Sequence, residues 1–99
     1  MPKFDGVIEA VRYKGGRIEL VRAYERRGAA FSDHVLLDRA TLLAQLKLGK
    51  RFVTGQRKPL MAGTFDVESQ VILAGTARDS VITTPDGRGR EELDGVPVF

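Results

Sequence analysis

The chain has 99 residues, of which 42% are apolar and 29% charged, and this composition is typical of one small folded domain. It contains no cysteine, which excludes disulfide bonds and thiolate metal sites, and its net charge is +3. No apolar run approaches the roughly 20 residues of a membrane-spanning helix, and the first ten residues lack a signal peptide's apolar segment, so we expect a cytoplasmic protein without a membrane partner.

The first predicted element is a β-hairpin from about Phe4 to about Arg27, with Gly15 and Gly16 at its tip. Two glycines suit a tight turn because glycine tolerates the positive φ angles that both central positions require. A regular ladder from this tip sets two pairs of opposite charges face to face, which stabilises the hairpin. These pairs are Glu9 with Arg22, and Arg12 with Glu19.

Alternation along the hairpin divides its side chains between two faces. The face expected to point inward carries Val7, Val11, Tyr13, Ile18, Leu20 and Tyr24. The other face also has an apolar middle, formed by Ile8, Ala10, Val21 and Ala23. A face this apolar is not wholly solvated, so the sheet is expected to curl into a barrel, to pack a helix or to meet a partner there.

A third strand is predicted from Phe31 to Leu37, followed by a helix at about 38–48. Asp38 suits the N-cap because its carboxylate accepts backbone N–H groups of the first turn, and Gly49 is expected to end the helix. The buried stripe of the helix is predicted to be Leu42, Leu43 and Leu46. A helix of about ten residues is marginal alone and must dock on the sheet.

Two further strands are predicted after the helix: residues 50–55 (KRFVTG) and a long segment from Thr64 to Leu73. In the second, alternation sets Phe65, Val67, Val71 and Leu73 on one face. A short strand at 81–83 and a turn at 85–87 follow. We expect residues 1–75 to form a compact β-rich domain. Residues 76–99 are expected to form a weakly structured extension that either adds an edge strand or stays undocked.

This order of elements predicts an α+β fold. We expect a curved, mostly antiparallel sheet of five to six strands, or a small barrel of the OB or SH3 type, with one short helix. The analogy concerns architecture alone and does not specify a function.

Positive charge is concentrated in residues 1–60, which hold 13 Lys and Arg against 6 Asp and Glu, whereas residues 61–99 hold 3 against 7. The candidate nucleic-acid-binding residues are Arg26, Arg27, Lys47, Lys50, Arg51, Phe52, Arg57 and Lys58. A curved sheet with cations around an exposed ring can follow a phosphate backbone while a base stacks on the ring. Alternatively, Phe52 faces the core and the cations protect a strand edge from aggregation. Alternation does not decide between these interpretations.

Catalytic patterns are weak in this sequence. Ser32, Asp33 and His34 are consecutive in a predicted strand and do not converge on one proton, and a single histidine does not build a common metal cage. Asp66 and Glu68 have a spacing that can hold Mg²⁺ or act as acid and base, but cross-strand pairing with the cations of KRFVTG is the favoured interpretation. The glycine-rich phosphate-loop motifs are absent. We expect a non-enzymatic protein without a metal or cofactor.

The leading hypothesis is a module that binds single-stranded or duplex nucleic acid weakly, with little sequence preference and strong salt dependence. The alternative is a protein-interaction or homo-oligomeric module that does not bind nucleic acid. In that case the second apolar face or the apolar last residues complete a neighbour's sheet, and a homodimer forms through an exposed sheet edge or face.

Overall fold

The computed structural model describes residues 4–27, 30–58, 65–75, 80–85, 91–93 and 95–99. These residues form seven strands and one helix. The elements are β1 (Gly6–Lys14), β2 (Arg17–Arg27), β3 (Ala30–Asp38), α1 (Arg39–Lys47), β4 (Phe52–Arg57), β5 (Phe65–Gln70), β6 (Ile72–Gly75) and β7 (Ser80–Thr83).

Five strands form the main sheet in the order β3-β2-β1-β4-β5, and β6 and β7 form a separate hairpin. Neighbouring strands of the main sheet are antiparallel except β1 and β4, which are parallel. A parallel pair needs a crossover, and β2, β3 and α1 supply it. The prediction of an α+β fold with one short helix is confirmed. The small barrel is not, because the edge strands β3 and β5 share no paired residues in the described part of the chain.

The β1–β2 hairpin turns at Gly15 and Gly16, whose φ angles are 61° and 78°. Near the tip and near the base, its pairs have the predicted register. Between them the register is shifted, because Glu9 in β1 and Glu19 in β2 are extra residues without a direct cross-strand partner. Both positions are β-bulges, and neither was predicted.

The bulges change the cross-strand charge pairs. The ion pair of Glu9 and Arg22 is confirmed, with 2.8 Å between Oε1 and Nε, although the ladder partner of Arg22 is Ala10. The predicted pair of Arg12 and Glu19 is wrong, because Arg12 faces Leu20 across the ladder.

The bulges also redistribute the apolar side chains of the hairpin. Because a bulge interrupts alternation, Ile8 and Val11 lie three residues apart and both belong to the core cluster. The hairpin residues of that buried cluster are Ile8, Val11, Ile18, Val21 and Ala23. Val7 and Tyr24, which were expected to point into this core, lie outside the cluster on the opposite face of the sheet.

The core lies between one face of the main sheet, α1 and the β6–β7 hairpin. Leu42 of α1 is fully buried, and Leu43 and Leu46 pack beside it as predicted. The side chain of Asp38 accepts the backbone N–H of Thr41 at 2.8 Å, which confirms the N-cap. Gly49 has a φ of 90° just after the helix, which confirms the predicted end. No helix among the described residues is long and apolar enough to cross a membrane.

The predicted long strand from Thr64 to Leu73 forms two strands in its described part, β5 and β6, with an interruption at Val71; Thr64 lies outside the described residues. The N–H of Val71 donates to the Phe52 carbonyl at 2.8 Å, and its side chain is buried in the core. A bulge at Glu68 shifts the ladder between β4 and β5. The predicted single apolar face is therefore wrong: Val71 and Leu73 pack with the core cluster, whereas Phe65 and Val67 do not.

Glu91 joins three parts of the core side of the molecule. Its carboxylate accepts the N–H groups of Ile18 in β2 at 2.7 Å and Ile82 in β7 at 3.3 Å. It also accepts two hydrogen bonds from Arg39 in α1, at 2.7 and 2.9 Å. Burial by itself raises the pKa of Glu91, but the hydrogen bonds from Arg39 and from the two N–H groups outweigh it and hold the pKa below its ordinary value.

The last residues of the chain lie along β1. The N–H of Val11 donates to the Pro97 carbonyl at 2.9 Å, and the N–H of Phe99 donates to the Val11 carbonyl at 3.0 Å. These bonds form a parallel bridge between Val11 and Val98. The bridge lies on the same side of β1 as β4, whose pairing with β1 ends at Ile8. The last residues therefore satisfy backbone groups of β1 that β4 leaves unpaired.

Candidate functional site

The main sheet has a second face that carries no helix or strand within the described ranges, since α1, β6 and β7 all pack on the core side. We call it the aromatic face. The residues that alternation and ladder register assign to it include Val7, Ala10, Arg12, Leu20, Arg22, Tyr24, Arg26, His34, Leu36, Val53, Arg57, Phe65, Val67 and Gln70.

Four aromatic rings from separate parts of the sequence meet at one end of this face: Phe4, Tyr24, Phe31 and Phe65. The Phe65 centroid lies 5.1 Å from that of Tyr24 and 4.9 Å from that of Phe31. Phe4 lies 5.7 Å from Phe31 in a tilted arrangement. These separations are the favourable ones for tilted and edge-to-face rings. Since Phe31 and Phe65 belong to opposite edge strands, their contact shows that the sheet curves towards the aromatic face, as predicted.

Arginine side chains lie against the rings. The guanidinium carbon of Arg57 is 4.1 Å from the centroid of Tyr24 and 5.5 Å from that of Phe65. One terminal nitrogen of Arg57 donates to the Ser32 carbonyl at 3.2 Å, and its buried Nε has no hydrogen-bond partner among the described residues. A guanidinium held over a ring is oriented by the ring's negative face, so the rings and the Ser32 carbonyl together hold Arg57 in position.

A second cation–π group lies towards the end of the chain. The guanidinium carbons of Arg12 and Arg22 are 4.8 and 5.3 Å from the ring centroid of Phe99. The Nε of Arg12 also donates to the Phe99 carbonyl at 3.2 Å. The aromatic face therefore carries arginine beside aromatic rings in two places.

Glu9 is an acidic residue within this face, and its partners neutralise it. Its carboxylate accepts Arg22 Nε at 2.8 Å and the Tyr24 hydroxyl at 3.0 Å, and His34 Nε2 is 3.7 Å away. Burial raises the pKa of Tyr24, and the hydrogen bond to Glu9 raises it further, so the phenol stays protonated at neutral pH. The carboxylate is thus committed to Arg22 and Tyr24 rather than presented to a ligand.

Of the Ser32-Asp33-His34 segment, the structure describes the side chains of Ser32 and His34. The His34 side chain is 52% exposed, and the Ser32 hydroxyl accepts the Glu25 N–H at 3.1 Å. The side chain of Asp33 lies outside the described residues. Within the described part of the chain, no three His, Asp or Glu side chains are grouped so that they could hold a metal ion.

Phe52, the aromatic residue predicted to bind a base, is 1% exposed and belongs to the core cluster, so that prediction is corrected. Its neighbour across the parallel ladder is Gly6, and a Cβ at Gly6 would collide with the Phe52 ring. The ring occupies the space that this glycine leaves. Phe52 therefore cannot stack on a ligand, and the core interpretation left open by the sequence is the observed one.

The predicted basic residues do not form one patch. Arg51 is exposed beside Val53, and Arg57 packs on the rings, so both belong to the aromatic face. Lys47 is exposed in the last turn of α1, which packs on the core side. Lys50 is exposed between α1 and β4.

The remaining three predicted cations differ in their surroundings. Alternation from Tyr24 sets the half-buried Arg26 on the aromatic face, whereas the side chain of Arg27 lies outside the described residues. Lys58 forms an ion pair with Asp66, with 3.6 Å between Nζ and Oδ1. Asp66 therefore pairs with Lys58, just past the end of β4, rather than with a cation of KRFVTG. The bulge at Glu68 interrupts the regular alternation between Asp66 and Glu68.

A cavity of about 220 Å³ adjoins the ring cluster. Phe4, Arg51, Val53 and Gln70 line it. Val53 and Gln70 are a cross-strand pair of β4 and β5, so two of the walls are fixed by a backbone ladder. Phe4 belongs to the ring cluster as well, which makes the cavity continuous with it.

Comparison of the chain with known families, curated proteins and solved structures finds no match in any of the three.

Proposed function

We propose that this protein binds single-stranded nucleic acid on the aromatic face and carries out no catalysis. The observation that supports this most strongly is the ring cluster interleaved with arginine, on a sheet face without a packed element in the described part of the chain. Aromatic rings accept stacked bases and guanidinium groups bind phosphates, so this pairing of residue types suits a polyanion with exposed bases.

A single strand suits this face better than a duplex. The cluster rings of Phe4, Phe31 and Phe65 are half-buried, so each exposes part of its surface. Bases in a duplex are stacked on one another, whereas those of a single strand are available to stack on a protein ring. The curvature of the sheet towards this face lets a flexible strand follow it, while a stiff duplex touches a concave surface at few points.

The charge of the face also favours a phosphate backbone. Glu9 is neutralised by Arg22, while Arg51 at the edge of the cavity is exposed. With about three phosphate contacts, affinity for a single strand would fall on the order of tenfold between 50 and 200 mM salt. Binding is therefore expected to be weak and strongly salt-dependent.

The test is fluorescence anisotropy with a labelled single-stranded oligonucleotide and its duplex at two salt concentrations. Arg51→Glu is expected to weaken single-strand binding at least tenfold. Lys47→Glu, an equal charge reversal on the core side of the molecule, is the matched control and is expected to have a much smaller effect. Absence of single-strand binding at low salt, stronger duplex binding, or equal losses for the two variants would refute the proposal.

A homodimer is the second candidate, and two exposed apolar side chains favour it. Leu36 on the edge strand β3 is 60% exposed, and Val67 on the edge strand β5 is 46% exposed. Burying both against a second copy would exploit the open edges of the sheet. Sedimentation velocity over a range of concentrations tests this candidate. A dimer that dissociates in Leu36→Ser supports it, and a monomer at every concentration excludes it.

A further inference from the structure

We infer that the cavity lined by Phe4, Arg51, Val53 and Gln70 takes one unstacked base of the bound strand; this inference rests on the proposed function. The cavity volume of about 220 Å³ decides the size of the occupant. Pockets for drug-sized ligands measure roughly 300–1,000 Å³, so this cavity accommodates a single ring system rather than a larger ligand.

The lining has the chemistry of a base site. Phe4 offers a ring for stacking, and Val53 offers an apolar wall. The amide of Gln70 has both a donor and an acceptor, so it can hydrogen-bond to the edge of a base. Arg51 is exposed and carries the positive charge that the phosphate of the same nucleotide needs.

The site is held in place by the fold. Gln70 faces Val53 across the β4–β5 ladder, so their separation is fixed by backbone hydrogen bonds. The ring of Phe4 packs on Phe31 at 5.7 Å and on Phe65 at 6.5 Å. Because paired strands and packed rings hold its lining in place, this site loses little conformational entropy when a ligand binds.

The cavity continues into the ring cluster through Phe4. A strand whose one base stacks on Phe65 can therefore place a neighbouring base in the cavity without leaving the surface. One acid lies close to Arg51: the carboxylate of Asp5 accepts the backbone N–H of Arg51 at 2.9 Å. It opposes the phosphate contact, so the base contacts are needed to hold the nucleotide at this position.

The first experiment compares a six-nucleotide DNA with versions that lack one base at each position in turn. The intact oligonucleotide is expected to bind the wild-type protein about tenfold more tightly than at least one abasic version. Gln70→Ala and the cavity-filling Val53→Phe are expected to remove most of this difference. Gln45→Ala, on α1, is the matched control and is expected to preserve it. Thermal unfolding of each variant verifies that it is folded.

The second experiment uses mononucleotides and ¹H–¹⁵N spectra. A nucleoside monophosphate is expected to shift the Gln70 side-chain amide and the backbone amides of Phe4 and Val53, whereas ribose 5-phosphate is expected to shift only the region of Arg51. Equal shifts at Gln70 with both probes overturn the base site.

The outcomes separate this inference from the proposed function. If the wild-type protein binds the intact oligonucleotide but tolerates every abasic version and both cavity variants equally well, the base site is wrong and the binding face stands. If the wild-type protein does not bind the oligonucleotide at all, both fail together.

Discussion

The two faces of the main sheet carry phenylalanines in opposite situations. On the core side Phe52 is 1% exposed, because α1 and the β6–β7 hairpin pack over that face. On the aromatic face Phe65 is half-buried, and the groups around it are the rings of Tyr24 and Phe31 and the guanidinium of Arg57. One face is closed by secondary structure, whereas the other is covered, within the described residues, by side chains of the sheet and by the rings of Phe4 and Phe99.

The acidic residues Glu91, on the core side, and Glu9, on the aromatic face, show the same contrast in what surrounds them. The side chain of Glu91 is 3% exposed and accepts two backbone N–H groups besides Arg39, so it fixes β2, β7 and α1 to one another. The side chain of Glu9 is 11% exposed and its hydrogen-bond donors are the side chains of Arg22 and Tyr24. We therefore expect the core side to determine stability and the aromatic face to determine binding.

The largest expected effect on the free energy of unfolding comes from replacing one phenylalanine on each face with alanine. Phe52→Ala removes a fully buried ring and is expected to lower the free energy of unfolding by about 4 kcal/mol. Phe65→Ala is expected to lower it by about 1–2 kcal/mol, because its ring is only partly buried, and to weaken oligonucleotide binding several-fold. Urea denaturation and anisotropy measure the two quantities. Similar losses of stability in both variants would contradict the difference between the faces.

The next comparison replaces one carboxylate on each face. Glu91→Gln leaves the half-buried Arg39 without the buried carboxylate that is its counter-charge and is expected to lower the free energy of unfolding by about 3 kcal/mol. Glu9→Gln is expected to lower it by about 1 kcal/mol, since Arg22 is partly solvated. Urea denaturation at pH 7 measures both changes, with Glu92→Gln, at an exposed position, as the control. An effect at Glu9 as large as that at Glu91 would show that the aromatic face is also part of the structural core.

A smaller effect is expected from pH. The pKa of Glu91 is lowered in the folded state, so its contribution to stability is complete above the unfolded pKa of roughly 4.3 and is lost as pH falls through the folded pKa. The free energy of unfolding of the wild-type protein should therefore fall more steeply from pH 6 to pH 3 than that of Glu91→Gln. Urea denaturation at each pH measures the slopes. Parallel slopes would mean that the carboxylate of Glu91 has the same pKa in both states.

Local signals predicted much of the fold. The helix is specified by Asp38 at its start, Gly49 after its end and three leucines between them, and all of these act within one or two turns. The hairpin tip is likewise specified by Gly15 and Gly16. Such features are determined by neighbours in the chain, so they are visible in the sequence.

The faces of the strands were harder to predict, because alternation assumes that every residue has one cross-strand partner. Glu9, Glu19 and Glu68 break that assumption, and each break reassigns the side chains that follow. Phe52 was undecided because β4 has apolar residues on both faces, and Gly6, which provides the space for its ring, lies in another strand. Such choices depend on contacts across the sheet.

The candidate site was predicted only in part. The sequence indicated cations at 47–58, of which Arg51 and Arg57 lie on the aromatic face. The ring cluster was missed because its members come from the segment before β1 and from three different strands. The signal that could have indicated it is the spacing of Arg22, Tyr24 and Arg26 in β2. Alternation places these three residues on one face of the strand, with an aromatic ring between two cations.

The bulge at Glu9 has one more consequence. Without this residue, Ile8, Ala10 and Val11 would follow one another in strict alternation, each keeping its present partner in β2. Glu9 is thus an insertion between two regular stretches of β1. Deleting Glu9, rather than replacing it, would straighten β1 and keep its neighbours on their present faces of the sheet. It would also make the aromatic face more basic by one charge.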